Sequence, residues 1–214
     1  MTKDVTIIDH GTGNLFSVAR AVELSGGVPT ISSDPTKIRH AKRLILPGVG
    51  AFAKGMHNLI SRGLDTIIKE KSADGTPTLA ICLGMQLLFD ESNEFGSHKG
   101  LGILPGKVMS LKLKADGPHL RVPQVGWNSL IPSDGASWQD TLLKDAVVGD
   151  DMYFVHSYCV FPSEKSNTLA ITRAGGVDIT AVVRRGNITG CQFHPEKSGN
   201  LGLQIIRNFV NTGL

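Results

Sequence analysis

TLAICLGMQLLFDES, residues 78–92, passes from an apolar strand-like stretch straight into a helix-like one, with Cys82, Leu83 and Gly84 at the join. Such a strand-to-helix corner belongs to β-α-β units, whose parallel strands need helices packed on the sheet. Working outward, the pattern repeats. Strand-like runs VTIID (5–9), VPTIS (28–32), RLILPG (43–48) and PTLAIC (77–82) alternate with helix-like NLFSVARAVELSG (14–26), AFAKGMHNLISRGLDTIIKEK (51–71) and GMQLLFDES (84–92).

After residue 105 the rhythm changes. KVMSLKLK (107–114), DMYFVHSYCVF (151–161), TLAITRAG (168–175), VDITAVVRRG (177–186) and NITGCQFHP (187–195) read as strands in close succession, two of them ending in Gly-bearing turns. A final periodic segment, LGLQIIRNFVNTG (201–213), predicts a helix with Leu203, Ile206 and Phe209 or Val210 facing inward. The expectation is a single three-layer α/β/α domain over 1–214. Its open mixed sheet has a doubly wound parallel part and added antiparallel strands.

Composition narrows the function classes. The formal charge of +3 is spread along the chain, which does not point to nucleic acid. No stretch is long and apolar enough to span a bilayer, and the polar start MTKDVTIID is neither a signal nor a transit segment, so a cytoplasmic location is expected. Cys82, Cys159 and Cys191 are spaced neither as a disulfide framework nor as zinc ligands. DHGTGN (9–14) lacks the dinucleotide fingerprint, and no phosphate-binding loop occurs.

Active sites of open α/β sheets lie beyond the carboxyl ends of the parallel strands. DHGTGN, LPGVGAF (46–52) and the Cys82 corner all fall there. A nucleophile on a tight strand-to-helix turn is exposed, with the next N–H, that of Leu83, turned toward the oxygen of an attacked carbonyl. The helix start beside the sulfur favours thiolate over thiol. The same cysteine also fits a core position at the end of an apolar strand. A base is available in GCQFHPEKSGN (190–200), where Glu196 follows His194 by two residues and shares its side of an extended chain. A histidine at a strand end equally fits a hydrogen bond to a loop. In PGVGAF, Gly48 and Gly50 flank Val49 and suit either a close ligand approach or a plain turn. His10 lies in a Gly-rich loop and His40, His57, His98 and His119 in polar segments, and all five read as surface.

Together LILPGVGAF (44–52), AICLGMQLLF (80–89) and GCQFHPEKSG (190–199) resemble the class I, or triad, glutamine amidotransferases. Within that family, IDHGTGNLFSVARAVE (8–23) and VPQVGWNSL (122–130) are similar to glutaminase subunits of imidazole glycerol phosphate synthase, and the resemblance covers essentially the whole chain, 1–214. It implies Cys82 as nucleophile, His194 as base and then acid, and Glu196 as its orienting partner. Val49, Gly50 and Leu83 would form the oxyanion hole. Gly48, Gly50, Gln86, His156, Ser157 and Tyr158 would hold glutamine, with no metal or cofactor required. The resemblance further implies a heterodimer with a (β/α)8-barrel cyclase subunit that receives the ammonia, touching Asn14, Trp127, Asn128, Tyr153 and Lys197. Trp127 is expected in a loop beside Gly126. His10 departs from the family, where an aromatic residue, often tyrosine, usually follows Asp9.

Rival readings are a glutaminase serving a different synthase, a regulatory subunit that has lost catalysis, and a cysteine hydrolase of related topology. PQVGWN (123–128) argues against the first, the intact Cys82, His194 and Glu196 against the second, and the HSY run with Gln86 against the third.

Overall fold

The computed structural model describes residues 3–113 and 120–211, so His119 and Lys114 of the expected strand KVMSLKLK lie outside the described residues. The first half alternates β1 (Asp4–Ile8), α1 (Leu15–Leu24), β2 (Val28–Ser32), α2 (Pro35–Arg39), β3 (Leu44–Leu46), α3 (Phe52–Ser61), α4 (Leu64–Ala73), β4 (Thr78–Ile81) and α5 (Leu83–Leu87). The segment read as one helix over 51–71 is two. Gly63, in the left-handed region at φ 66°, turns the chain between α3 and α4.

Then follow β5 (Phe89–Ser92), β6 (His98–Lys99), β7 (Leu104–Ser110), β8 (Gln124–Pro132), β9 (Asp151–His156), β10 (Tyr158–Pro162), β11 (Thr168–Ala174), β12 (Val177–Arg185), β13 (Ile188–Cys191) and α6 (Gly199–Val210). The main sheet has the order β2-β1-β3-β4-β13-β12-β11-β8-β9. Its first five strands are parallel and the rest join antiparallel.

Period-two alternation divides the core between two faces of that sheet. Val5 and Ile7 of β1, Ile45 of β3, and Leu79 and Ile81 of β4 pack with Val18 and Val22 of α1 and with Ile205, Ile206 and Phe209 of α6. Ile8, Leu44, Leu46 and Ala80 face the other way, onto Phe52, Met56 and Leu59 of α3 and Ile67 and Ile68 of α4. Fully burying each such aliphatic or aromatic side chain contributes roughly 1.5–3 kcal/mol, and this double-sided packing holds the carboxyl ends of β1, β3 and β4 in fixed relation.

A second, four-stranded sheet, β10-β7-β5-β6, was not anticipated. It accounts for two corrections. GMQLLFDES does not continue as a helix: α5 stops at Leu87, and Phe89–Ser92 pairs with β7 instead. The carbonyl of Leu88 accepts from the amides of Ile103 and Leu104 at 2.8 and 3.0 Å, so long-range pairing overrides the local helical pattern. DMYFVHSYCVF is likewise two strands, with β9 in the main sheet, β10 in the small one and only Ser157 between. Among the described residues no helix is long and apolar enough to cross a membrane.

Candidate active site

Cys82 stands at the end of β4 with φ 55° and ψ −111°, a conformation that L-residues with a side chain rarely adopt. Holding it there costs on the order of 1–3 kcal/mol, which the surrounding bonds must supply. Its N–H donates to the carbonyl of Cys191 on β13 at 2.7 Å, and its carbonyl accepts from Gln86 N–H at 3.2 Å. Gly84 completes the corner: a Cβ there would lie 1.9 Å from the carbonyl oxygen of Leu46, so only glycine lets α5 start so close to β3. Because α5 is five residues long, its field at the sulfur is small, and side chains dominate the surroundings of Cys82.

His194 lies beyond β13, and Glu196 sits in a 3-10 turn, Pro195–Lys197, rather than the extended chain expected. The turn still brings the two side chains together. His194 Nδ1 donates to Glu196 Oε1 at 2.8 Å, with side chains only 3% and 1% exposed. That bond places the Nδ1 proton and leaves Nε2, which forms no hydrogen bond among the described residues, to exchange a proton. Burial disfavours charge on the ring, but interactions with Cys82 and with Glu196 outweigh it and raise His194 to about 9. The main chain is braced as well: His194 N–H donates to Tyr153 O at 3.0 Å, and Ser198 Oγ donates to His194 O at 2.7 Å.

Cys82 and His194 share a cavity of about 360 Å³ with Val49, Gly50, Leu83, Gln86, Glu94, Val155, His156, Ser157 and Tyr158. A larger cavity, about 460 Å³, opens at the opposite ends of β4 and β13, near Pro77, Thr78, Arg184 and Asn187, remote from the sulfur. His156 Nδ1 donates to Tyr158 O at 2.8 Å. Burial chiefly, with the nearby His194, lowers His156 to about 4 against the opposing pull of that carbonyl, so its ring is neutral and offers Nε2 as an acceptor. Burial and the neighbouring Glu94 push the Tyr158 phenol up. Gln86 Nε2 donates to Tyr158 O and to Gln192 Oε1, each at 3.0 Å, and Gln192 Nε2 reaches Cys82 Sγ at 3.6 Å. Leu83 N–H donates to the carbonyl of Gly48 at 3.3 Å, joining the Gly48–Gly50 segment to the cysteine corner.

Sequence reading missed Gln192 and Glu94. Gln192 was within reach, since it stands two positions before His194 just as Glu196 stands two after. Glu94 carried no signal, because only the path of the loop after β5 delivers it to the cavity.

The residues assigned to partner contact occupy two places. Trp127 is not in a loop but on β8, 55% exposed, with its ring edge-on to Tyr153 of β9 at 5.9 Å. Asn128 accepts from Gln124 Nε2 at 2.8 Å, and Lys197 is exposed beside Glu196. Asn14 is exposed at the start of α1, which packs against the 195–197 turn. His10, read as surface, is fully buried: its Nε2 donates to Pro47 O at 2.7 Å and its Nδ1 lies 3.1 Å from Thr12 Oγ1. Burial lowers its pKa, and the polar loop around it concealed this because the acceptor is distant in sequence. His40 and His57 are exposed and His98 half-buried. Among the described residues no three His, Cys, Asp or Glu side chains converge to hold a metal ion.

The class-I glutamine amidotransferase family matches residues 6–212. Imidazole glycerol phosphate synthase subunit HisH 1 of Legionella pneumophila strain Lens is 45% identical over 208 residues, covering 96% of this chain and 98% of that protein. Subunit HisH of Geobacillus sp. strain WCH70 is 46% identical over 211 residues, covering 97% of this chain and 96% of that protein. A crystal structure of a glutamine amidotransferase shares the fold with a TM-score of 0.72 over 97% of this chain and 99% of that one, at 18% identity.

Proposed function

The chain belongs to the class-I glutamine amidotransferase family, in its HisH branch, and we propose that it hydrolyses glutamine and delivers the ammonia to a cyclase subunit in imidazole glycerol phosphate synthesis. The observation that carries the chemistry is the His194 Nδ1–Glu196 bond at 2.8 Å, which leaves Nε2 as the proton-exchanging atom of a ring that shares a cavity with Cys82.

In the proposed sequence the Cys82 sulfur attacks the γ-amide carbon of glutamine, forming a C–S bond and a tetrahedral oxyanion. His194 Nε2–H gives its proton to the departing nitrogen, the C–N bond breaks, and ammonia leaves a glutamyl thioester. A water then loses a proton to His194 Nε2 as its oxygen attacks the thioester carbon. Cleavage of the C–S bond yields glutamate, and the net change is glutamine plus water to glutamate plus ammonia. Glu196 holds one tautomer throughout and stabilises the imidazolium. The raised proton affinity of His194 suits the first step, in which the ring must arrive protonated.

A cavity of about 360 Å³ accommodates one amino acid. Glu94, Gln86 Oε1 and neutral His156 Nε2 offer acceptors for an ammonium, while Ser157, Val49 and Gly50 line the remainder. Ammonia released into water is protonated and diluted, so the proposal includes a (β/α)8-barrel cyclase docked over Asn14, Trp127, Asn128, Tyr153 and Lys197. That partner would make imidazole glycerol phosphate and aminoimidazole carboxamide ribotide. The chemistry asks for no cofactor, and three cysteines outside any disulfide suit the reducing cytosol.

The test pairs a glutamine-mimicking electrophile with a turnover assay. A Cys82 adduct blocked by glutamine, and glutaminase activity stimulated by the cyclase with its phosphorylated substrate, are expected. Absence of both, with partner and ligand present, would leave a regulatory subunit without catalysis.

A further inference from the structure

Gln192 plays no part in the proton transfers above, yet its side chain is fully buried and reaches the reacting sulfur. The orientation of its amide follows from a single main-chain atom. Tyr158 O can only accept, so the Gln86 group facing it at 3.0 Å must be the NH₂. The same Nε2 lies 3.0 Å from Gln192, so Gln192 must turn its oxygen to Gln86. Its NH₂ is then left facing Cys82 Sγ at 3.6 Å. The Gln192 backbone cannot drift, because its N–H is held by Ala181 O at 2.8 Å. Starting from a carbonyl on β10, two amides in series therefore impose a hydrogen-bond donor, never an acceptor, on the sulfur.

We propose that Gln192 is a catalytic residue whose amide, oriented through Gln86 by the Tyr158 carbonyl, donates to the Cys82 sulfur and stabilises its anionic form. This rests on the reading of Cys82 as the nucleophile. It gives the sulfur a donor separate from the proton-exchanging ring, one that carries no exchangeable charge and remains in place when the ring passes its proton to the leaving group. It also gives Gln86 a second task, since both its N–H groups are committed to the relay and only Oε1 is available to a substrate.

The test is alkylation of Cys82 by iodoacetamide in the full chain, followed by mass across a range of pH, with Cys82→Ala as the blank. Iodoacetamide needs neither oxyanion hole nor glutamine pocket, so it reports on the sulfur. Gln192→Met keeps the volume and removes the donor. Its alkylation near neutral pH is expected to fall about tenfold, with the profile displaced upward by roughly one pH unit and converging with the parent at high pH. Gln86→Met leaves Gln192 in place but releases its orientation, and should displace the profile the same way by less. The double variant should be no slower than Gln192→Met. A Gln192→Met profile that superposes on the parent, or one lowered equally at every pH, would overturn the proposal, as would an unshifted Gln86→Met profile should Gln192→Met not fold. If parental Cys82 resists alkylation while folded but reacts once unfolded, the nucleophile reading itself fails and the proposal falls with it.

Discussion

Leu83 N–H donates to the carbonyl of Gly48 at 3.3 Å. The donor best placed to meet an oxyanion beside Cys82 is thereby engaged by the segment expected to supply the second donor. Rotating the Gly48–Val49 peptide would withdraw that carbonyl, free Leu83 N–H and turn the Val49 N–H inward. Under the proposed function, such a rotation would separate a resting state with the oxyanion site closed from a partner-dependent state with it open.

Replacing Gly48 and Gly50 together by alanine removes the backbone freedom that this rotation draws on and adds two separate costs to the observed conformation. Gly50 has φ 97° and open space where a Cβ would sit, so Ala there costs backbone strain alone, about 1–2 kcal/mol. A Cβ on Gly48 would come within 3.0 Å of Gly84 N and Leu83 Cβ. Cyclase-stimulated turnover of the double variant is expected to fall at least about tenfold. Turnover equal to the parent's, at equal occupancy by the partner, would eliminate the switch.

Two histidines with opposite shifts set a stability optimum. His194, raised from 6.5 to about 9, contributes stability that is complete below 6.5 and lost as pH rises through about 9. His156, lowered from 6.5 to about 4, contributes stability that is complete above 6.5 and lost as pH falls through about 4. Urea unfolding across pH should therefore show both limbs falling away from about 6.5. His194→Ala should flatten the alkaline limb and His156→Asn the acid limb, each leaving the other; an alkaline limb unchanged in His194→Ala would contradict the assignment.

The parallel half of the sheet was legible because its signals are local: short apolar runs, each closed by a turn and followed by a helical period. The second sheet was not, since nothing within DMYFVHSYCVF marks Ser157 as the residue at which the chain changes sheets. The partners that separate its halves, β8 and β7, lie far away in sequence. The same holds for Phe89–Ser92, whose helical pattern yields to β7. At the site, His194 and Glu196 could be paired from spacing although the backbone between them is a turn. Glu94 and the burial of His10 could not be read, because each depends on a loop meeting residues tens of positions distant.

His10 tests that buried contact directly. Its ring donates to Pro47 O, immediately before Gly48, at 2.7 Å. His10→Phe retains a ring and removes the donor, leaving a buried carbonyl unpaired at a cost of about 1–3 kcal/mol in urea unfolding. A loss below about 0.5 kcal/mol, the range of ordinary surface substitutions, would mean that the ring contributes nothing through that bond.

Trp127 offers the sharpest separation of docking from folding. It is 55% exposed, with its ring edge-on to Tyr153 at 5.9 Å, and the carbonyl of Tyr153 holds His194 N–H at 3.0 Å. A large aromatic surface held close to the Pro195–Lys197 turn is the kind of anchor that carries binding energy when a partner covers it. Trp127→Ala should weaken cyclase binding at least about fivefold, measured by calorimetric titration, because truncating a buried aromatic anchor removes more than about 1 kcal/mol. The stability of the isolated chain should change little, since a half-exposed ring contributes little to the core. A variant that binds as tightly as the parent would move the docking surface away from the β8–β9 edge, and one that unfolds would assign Trp127 to the fold instead.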